Sequence, residues 1–200
     1  MMKTRPFFSL VLIAFIGLMG SLPKLHAQEG LSEIRQHYYA AKQRITELEQ
    51  AGVPAYYQMN VVRNLPATGM QHMTVNMYYD SRDDHSIWPS HWLELATASY
   101  NYAVRQFYEE YLFLPNGDLS FIFVRTPDVE FGKEYEFRFY FDDGLIHVSV
   151  RSRSVGEGEF VEEFADSEVP TSYLSFYHEY LRTAQNYRHL FNTIETTVKN

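Results

Sequence analysis

Between Leu93 and Arg151 the chain alternates side chains at a period of two and is punctuated by turn signals. That period sends successive side chains to opposite faces of a sheet. Tyr135, Phe137, Phe139 and Phe141 fall on one face of such a strand, and Glu136, Arg138 and Tyr140 on the other. Asp142-Asp143-Gly144 then makes a tight reversal, with Gly144 free to take a positive φ, and Leu145 to Arg151 alternates again. Earlier, Tyr108 to Leu114 and Leu119 to Arg125 flank Pro115-Asn116-Gly117-Asp118, a second hairpin turn. Neither hairpin leaves room for a crossover helix, so the sheet is expected to be an antiparallel meander.

Leu119 to Val124 is apolar on both faces: Leu119, Phe121 and Phe123 on one, Ile122 and Val124 on the other. A strand dry on both sides must be covered on both sides. Two helical patterns supply the cover. Leu31, Ile34, Tyr38, Ala41, Ile45 and Leu48 line one face of a helix over 31–50, with Ser32 as its expected N-cap and Gly52 and Pro54 at its end. A second helix is expected over about 171–197, after Pro170, with Leu174, Tyr177, Leu181, Ala184, Phe191 and Ile194 on its apolar face. The fold class is therefore α+β: an antiparallel β-meander of about seven to eight strands, curled or barrel-like, flanked by an N-terminal and a C-terminal helix. Further strands are expected at Tyr56 to Leu65, Met73 to Tyr79, and a short one near Phe160 to Phe164, with a polar loop from Asp80 to His91. Leu93 to Val104 and Gln106 to Leu114 read as a strand pair or one long bent strand.

Residues 1–27 read as a signal peptide: Lys3 and Arg5 open it, Phe7 to Gly20 is apolar, and Leu25-His26-Ala27 suits a signal peptidase. The apolar run is shorter than the roughly 20 residues that span a bilayer. Residues 28–200 then form a single domain without a membrane-spanning segment. Lys3, Arg5 and Lys24 are three of the 17 basic residues, so the remainder keeps 14 against 25 acidic ones, a formal charge of −11. Such a surface argues against nucleic acid and anionic membranes, both of which select basic patches. With no cysteine in the chain, disulfides and thiol chemistry are excluded.

Candidate sites are few. Asp83, Asp84 and His85 crowd one loop with Asp80 and His91, a set of oxygen and imidazole donors without the spacing of any metal motif. Trp88, His91 and Trp92 share that loop and form a candidate ligand platform, since aromatic rings combine apolar area with a polar tip. Tyr100, Tyr102, Tyr108 and Tyr140 are expected to line a hollow of the curled sheet as ligand-binding residues. No nucleophile elbow or catalytic spacing occurs, so no catalytic residue and no cofactor is assigned. The neighbours Glu109 and Glu110 point to opposite faces of a strand and cannot form an acid/base pair with each other.

Two resemblances bear on these readings. The paired aromatic strand, Asn-Gly or Asp-Gly turn and Leu strand resembles short units of bacterial repeat proteins. Ile34-Arg35-x-x-Tyr38-x-x-Ala41-Lys42-x-x-Ile45, Asn64-Leu65-Pro66-Ala67-Thr68-Gly69 and Phe107-Tyr108-Glu109-Glu110-Tyr111-Leu112-Phe113 together resemble uncharacterised exported proteins of gut Bacteroidetes. The second resemblance implies an envelope location and no activity. The expected function is a periplasmic or extracellular, non-enzymatic binding protein whose partner is a small molecule, glycan, lipid or envelope protein. The alternatives are a small periplasmic hydrolase with a pocket in the sheet and a structural subunit of an envelope complex.

Overall fold

The computed structural model describes residues 22–82, 90–128 and 131–198, with side chains from residue 28 onward. A helix α1 (Leu22–Gln50) leads into eight strands: β1 (Tyr56–Leu65), β2 (Gly69–Ser81), β3 (His91–Tyr102), β4 (Arg105–Phe113), β5 (Leu119–Asp128), β6 (Lys133–Phe141), β7 (Leu145–Ser154) and β8 (Glu157–Asp166). A 3-10 turn, Thr171–Tyr173, then opens helix α2 (Leu174–Val198). The strands lie in one sheet in chain order, every neighbouring pair antiparallel.

The sheet is open, with β1 and β8 at its edges, which corrects the barrel-like alternative. Its central strands carry bulky side chains on both faces, and each face is buried by its own helix. An eight-stranded barrel has an interior only wide enough for side chains, so neither helix fits inside one. On one face α1 places Ile34, Ala41 and Ile45 against Leu95, Leu112, Phe121 and Tyr140. On the other, α2 places Tyr180, Ala184, Tyr187 and Phe191 against a larger core from Val75 to Val150. The two-sided strand is buried on both faces, but a register shift beside Leu119 changes one assignment: Phe121 packs under α1, while Leu119 joins Ile122 and Val124 on the α2 side.

Several boundaries differ from the sequence reading. Helix α1 begins by Leu22, which puts Ser32 inside it rather than at its N-cap. Its C-terminus follows expectation: Gly52, at φ +73°, donates to Glu49 O and Val53 to Leu48 O, satisfying two otherwise orphaned carbonyls. β3 and β4 are a pair, not one bent strand, joined by the two-residue turn Ala103-Val104 with Ala103 at φ +55°. β8 is ten residues long, and β2 extends to Gly69 and Ser81. Trp92 and His91 belong to β3 rather than to a loop.

Candidate functional site

The register of β4 to β7 lays out a grid on the face that α1 partly covers. Tyr108, Arg125, Glu136 and Arg151 are successive cross-strand partners in one row; Glu110, Phe123, Arg138 and Ser149 in the next; Leu112, Phe121, Tyr140 and His147 in the third. Neighbours along a row are about 4.8 Å apart and rows are about 6.6 Å apart, the strand spacing and two residues of rise. Helix α1 lies over the third row and leaves the first open. Ile34, Arg35, Tyr38 and Tyr39 on its flank form the wall of a cleft of about 410 Å³. Its floor comes from the grid, chiefly Tyr108, Phe123, Arg125, Arg138 and Tyr140.

Two buried carboxylates organise the floor. Glu110 accepts hydrogen bonds from Tyr38 Oη (2.5 Å), Tyr108 Oη (2.5 Å) and Lys42 Nζ (2.8 Å), which ties α1 to β4. Burial and then the Glu110 charge push the phenols of Tyr38 and Tyr108 far above their ordinary value, so both stay protonated donors. Glu136 accepts from Arg125 Nη2 (2.7 Å) and Arg138 Nη2 (2.6 Å). Burial alone would raise its carboxyl, but these guanidiniums outweigh burial and hold it below the usual range. Glu136 is thereby an anion that fixes two arginines in place.

The cleft has guanidinium capacity left over. Arg138 Nη1 and Arg125 Nε are buried and make no hydrogen bond among the described residues, the latter facing Glu134 Oε1 at 3.9 Å. Arg35 sits over the Tyr140 ring, 5.5 Å from its centroid, and forms no ion pair among the described residues. The Arg138 and Arg125 guanidiniums lie 5.2 and 5.8 Å from the Phe123 centroid. Burial and the Arg35 charge together lower the His147 pKa, keeping that imidazole neutral. Three arginines therefore line the cleft with Glu110 and Glu136, both already engaged, while Glu134 at its margin, 3.9 Å from Arg125, is held by Arg153 at 2.6 Å, on a chain whose formal charge is −8.

The sequence-predicted residues separate into distinct places. Tyr108 and Tyr140 line the cleft. Tyr100 lies on the opposite face, donating to Glu109 Oε1 at 2.7 Å beneath α2, and Tyr102 is exposed at the β3–β4 turn. The four tyrosines thus do not share one hollow, because residues 100 and 108 point to opposite faces once β3 and β4 pair as a hairpin. Trp92 is buried, its ring 6.4 Å from that of His37 on α1, which ties the sheet to the helix, and together with His91 it lines a smaller cavity of about 270 Å³. His91 meets Glu195 of α2, Nδ1 to Oε1 3.0 Å, while Tyr57 donates to the same oxygen at 2.6 Å. Asp83, Asp84, His85 and Trp88 lie outside the described residues. Among the described residues no group of three His, Asp or Glu is placed to hold a metal ion.

Arg35, Arg125 and Arg138 were not singled out by sequence. Their signal is visible in retrospect as the alternation Glu136-x-Arg138-x-Tyr140 facing Phe123-x-Arg125, where charge and ring are cross-strand partners. No protein-family model, curated protein or solved structure matches this chain.

Proposed function

We propose that this chain is an exported, non-enzymatic binding protein of the bacterial cell envelope, and that its ligand lies in the cleft between α1 and the β4–β6 face. The ligand is a small molecule with a ring or apolar body and a single acidic group. The observation that carries this reading is the surplus of guanidinium donors among the described residues: Arg35 has no carboxylate partner, Arg138 Nη1 makes no hydrogen bond, Arg125 Nε has only Glu134 Oε1 at 3.9 Å, beyond hydrogen-bond reach, and all three residues line one aromatic cleft. Guanidiniums recognise carboxylates through charge-assisted hydrogen bonds, and a volume of about 410 Å³ lies in the range of small-molecule sites. Glu110 and Glu136 in the floor repel a second negative charge, which favours a monoanion. Calorimetric titration with sugar acids and aromatic carboxylates, each beside its neutral counterpart, tests this. Binding of acids alone supports the reading, and equal binding of the neutral compounds or no binding removes it.

A second reading, a small hydrolase, is favoured by one observation, the His91–Glu195 pair beside Arg82 and Arg188 at a smaller cavity. Ester or glycoside turnover lost in His91→Gln and retained in Arg35→Ala would establish it in place of the first.

A further inference from the structure

The two edges of the sheet are unlike. β8 carries five acidic residues in ten positions, and its pairing to β7 is interrupted by two register shifts. Charge and irregularity of this kind protect an edge from further pairing. β1 has neither protection. Its ten residues pair with β2 in one unbroken register, it contains no proline or lysine, and its only charge is Arg63. Because Tyr79 N donates to Ala55 O, the odd-numbered residues of β1 bond to β2 and the even-numbered ones direct their backbone groups away from the sheet. Tyr56, Gln58, Asn60, Val62 and Asn64 thus present a row of N–H and C=O groups that no backbone among the described residues pairs, at the edge of the sheet.

We propose that β1 pairs antiparallel with β1 of a second copy about a two-fold axis, joining two eight-stranded sheets into one. The outward residues run from 56 to 64 with Asn60 at their centre, so the register that pairs all of them sets Asn60 against Asn60 of the second copy. Gln58 then meets Val62, and Tyr56 meets Asn64. On the α2 face Met59 meets Val61, two apolar side chains, and Arg63 meets Tyr57, whose hydroxyl is already bound to Glu195. No like charges oppose each other in this register. Gln58, Asn60, Asn76 and Thr74 already form a side-chain hydrogen-bonded network along the edge, which holds Asn60 in place. A β1–β8 contact would instead be heterologous and open-ended, and the acidic, bulged β8 disfavours it.

The absence of cysteine makes a clean test. Asn60→Cys places two thiols on directly opposed residues, with Cα atoms about 5.5 Å apart, a span a disulfide bridges. Val104→Cys, at a position 93% exposed on a remote turn, is the collision control. Light scattering of the purified wild type is expected to give twice the monomer mass. Asn60→Lys, at an exposed position, is expected to give the monomer with unchanged far-UV circular dichroism. Asn60→Cys is expected to oxidise to a linked dimer well before Val104→Cys. A monomeric wild type, a dimeric Asn60→Lys, equal cross-linking of the two cysteine variants, or a series of species larger than the dimer would each overturn the proposal.

Discussion

Glu109 and Glu110 are adjacent in sequence and buried on opposite sides of the sheet. Glu109 accepts hydrogen bonds from Tyr100 (2.7 Å) and Tyr111 (2.6 Å) beneath α2, while Glu110 binds Tyr38, Tyr108 and Lys42 beneath α1. One dipeptide of β4 thus supplies a polar anchor to each core. The two differ in electrostatics: Glu110 has a cation in reach, whereas Glu109 is held by neutral hydroxyls alone.

The first prediction concerns pH. Burial pushes the Glu109 carboxyl up, against the opposing effect of the Tyr111 and Tyr100 hydroxyls. The folded chain therefore binds that proton more tightly than the unfolded one, whose value is about 4.3. The cost of ionising Glu109 is absent below the unfolded value and grows as pH rises through the folded one. Glu109→Gln is expected to match wild type in acid and to gain urea resistance relative to it towards neutral pH. A constant difference in midpoint across the range would contradict this.

Glu94 has the opposite sign. Burial raises its carboxyl, but the His37 imidazole 3.8 Å away and the hydrogen-bonded Arg44 guanidinium outweigh burial and lower it. Its stabilisation is present above the unfolded value and is lost as pH falls through the folded one. Glu94→Gln is expected to be less stable than wild type at neutral pH and to converge with it in acid, read by the same denaturation series.

The attachment of α1 depends on Glu110. Glu110→Ala leaves two part-buried tyrosine hydroxyls without their acceptor and the solvent-reaching Lys42 without its partner; each hydroxyl left unsatisfied costs about 1–3 kcal/mol. Tyr38→Phe removes a single hydrogen bond to a charged group and should cost about 1.5–3 kcal/mol. Chemical denaturation of both variants checks the order; a larger loss in Tyr38→Phe would place the anchor elsewhere.

Trp92 is a packing residue. Trp92→Ala is expected to cost about 3–5 kcal/mol of stability while leaving ligand affinity unchanged in the protein that remains folded. A loss of binding at unchanged melting temperature would restore it to the site.

The fold was largely legible because its signals were local. The Asn116-Gly117 and Asp143-Gly144 turns, and the alternation of Tyr135 to Phe141, each announced a strand pair without help from the rest of the chain. The Ala103-Val104 turn was less legible, since Ala103 takes a positive φ that tertiary pairing imposes and its side chain does not favour. The buried stripe of α2 was only half visible: Tyr180, Tyr187 and Glu195 face the core with Ala184 and Phe191. A spacing that admits Tyr177 still passes over Tyr180, Tyr187 and Glu195, and the buried glutamate counts Tyr57 and His91 among its partners. The cleft was least legible. It joins Arg35 of α1 to Arg125 and Arg138 of neighbouring strands, and only the docking angle of the helix brings them together.

Export carries its own expectation. Signal peptidase cleavage after Ala27 would make Gln28 the first residue of the mature protein, leaving the buried residues Ile34, Ala41 and Ile45 of α1 in place. Intact-mass measurement of the exported form reads this directly, and a mass that retains residues 1–27 would contradict it.

The cleft reading is tested most directly by the melting temperature of wild type and Arg35→Ala against a panel of ring-bearing acids and their neutral counterparts. Arg35 carries no ion pair among the described residues and only rests over the Tyr140 ring, so its replacement should lower the unliganded melting temperature slightly at most. A ligand at about 100 times its Kd adds about 2.7 kcal/mol. The expected result is a rise in melting temperature with an acid, no rise with its neutral counterpart, and loss of most of the rise in Arg35→Ala. An equal rise in both proteins, or a rise with the neutral compounds alone, would contradict a guanidinium-lined site between α1 and the sheet.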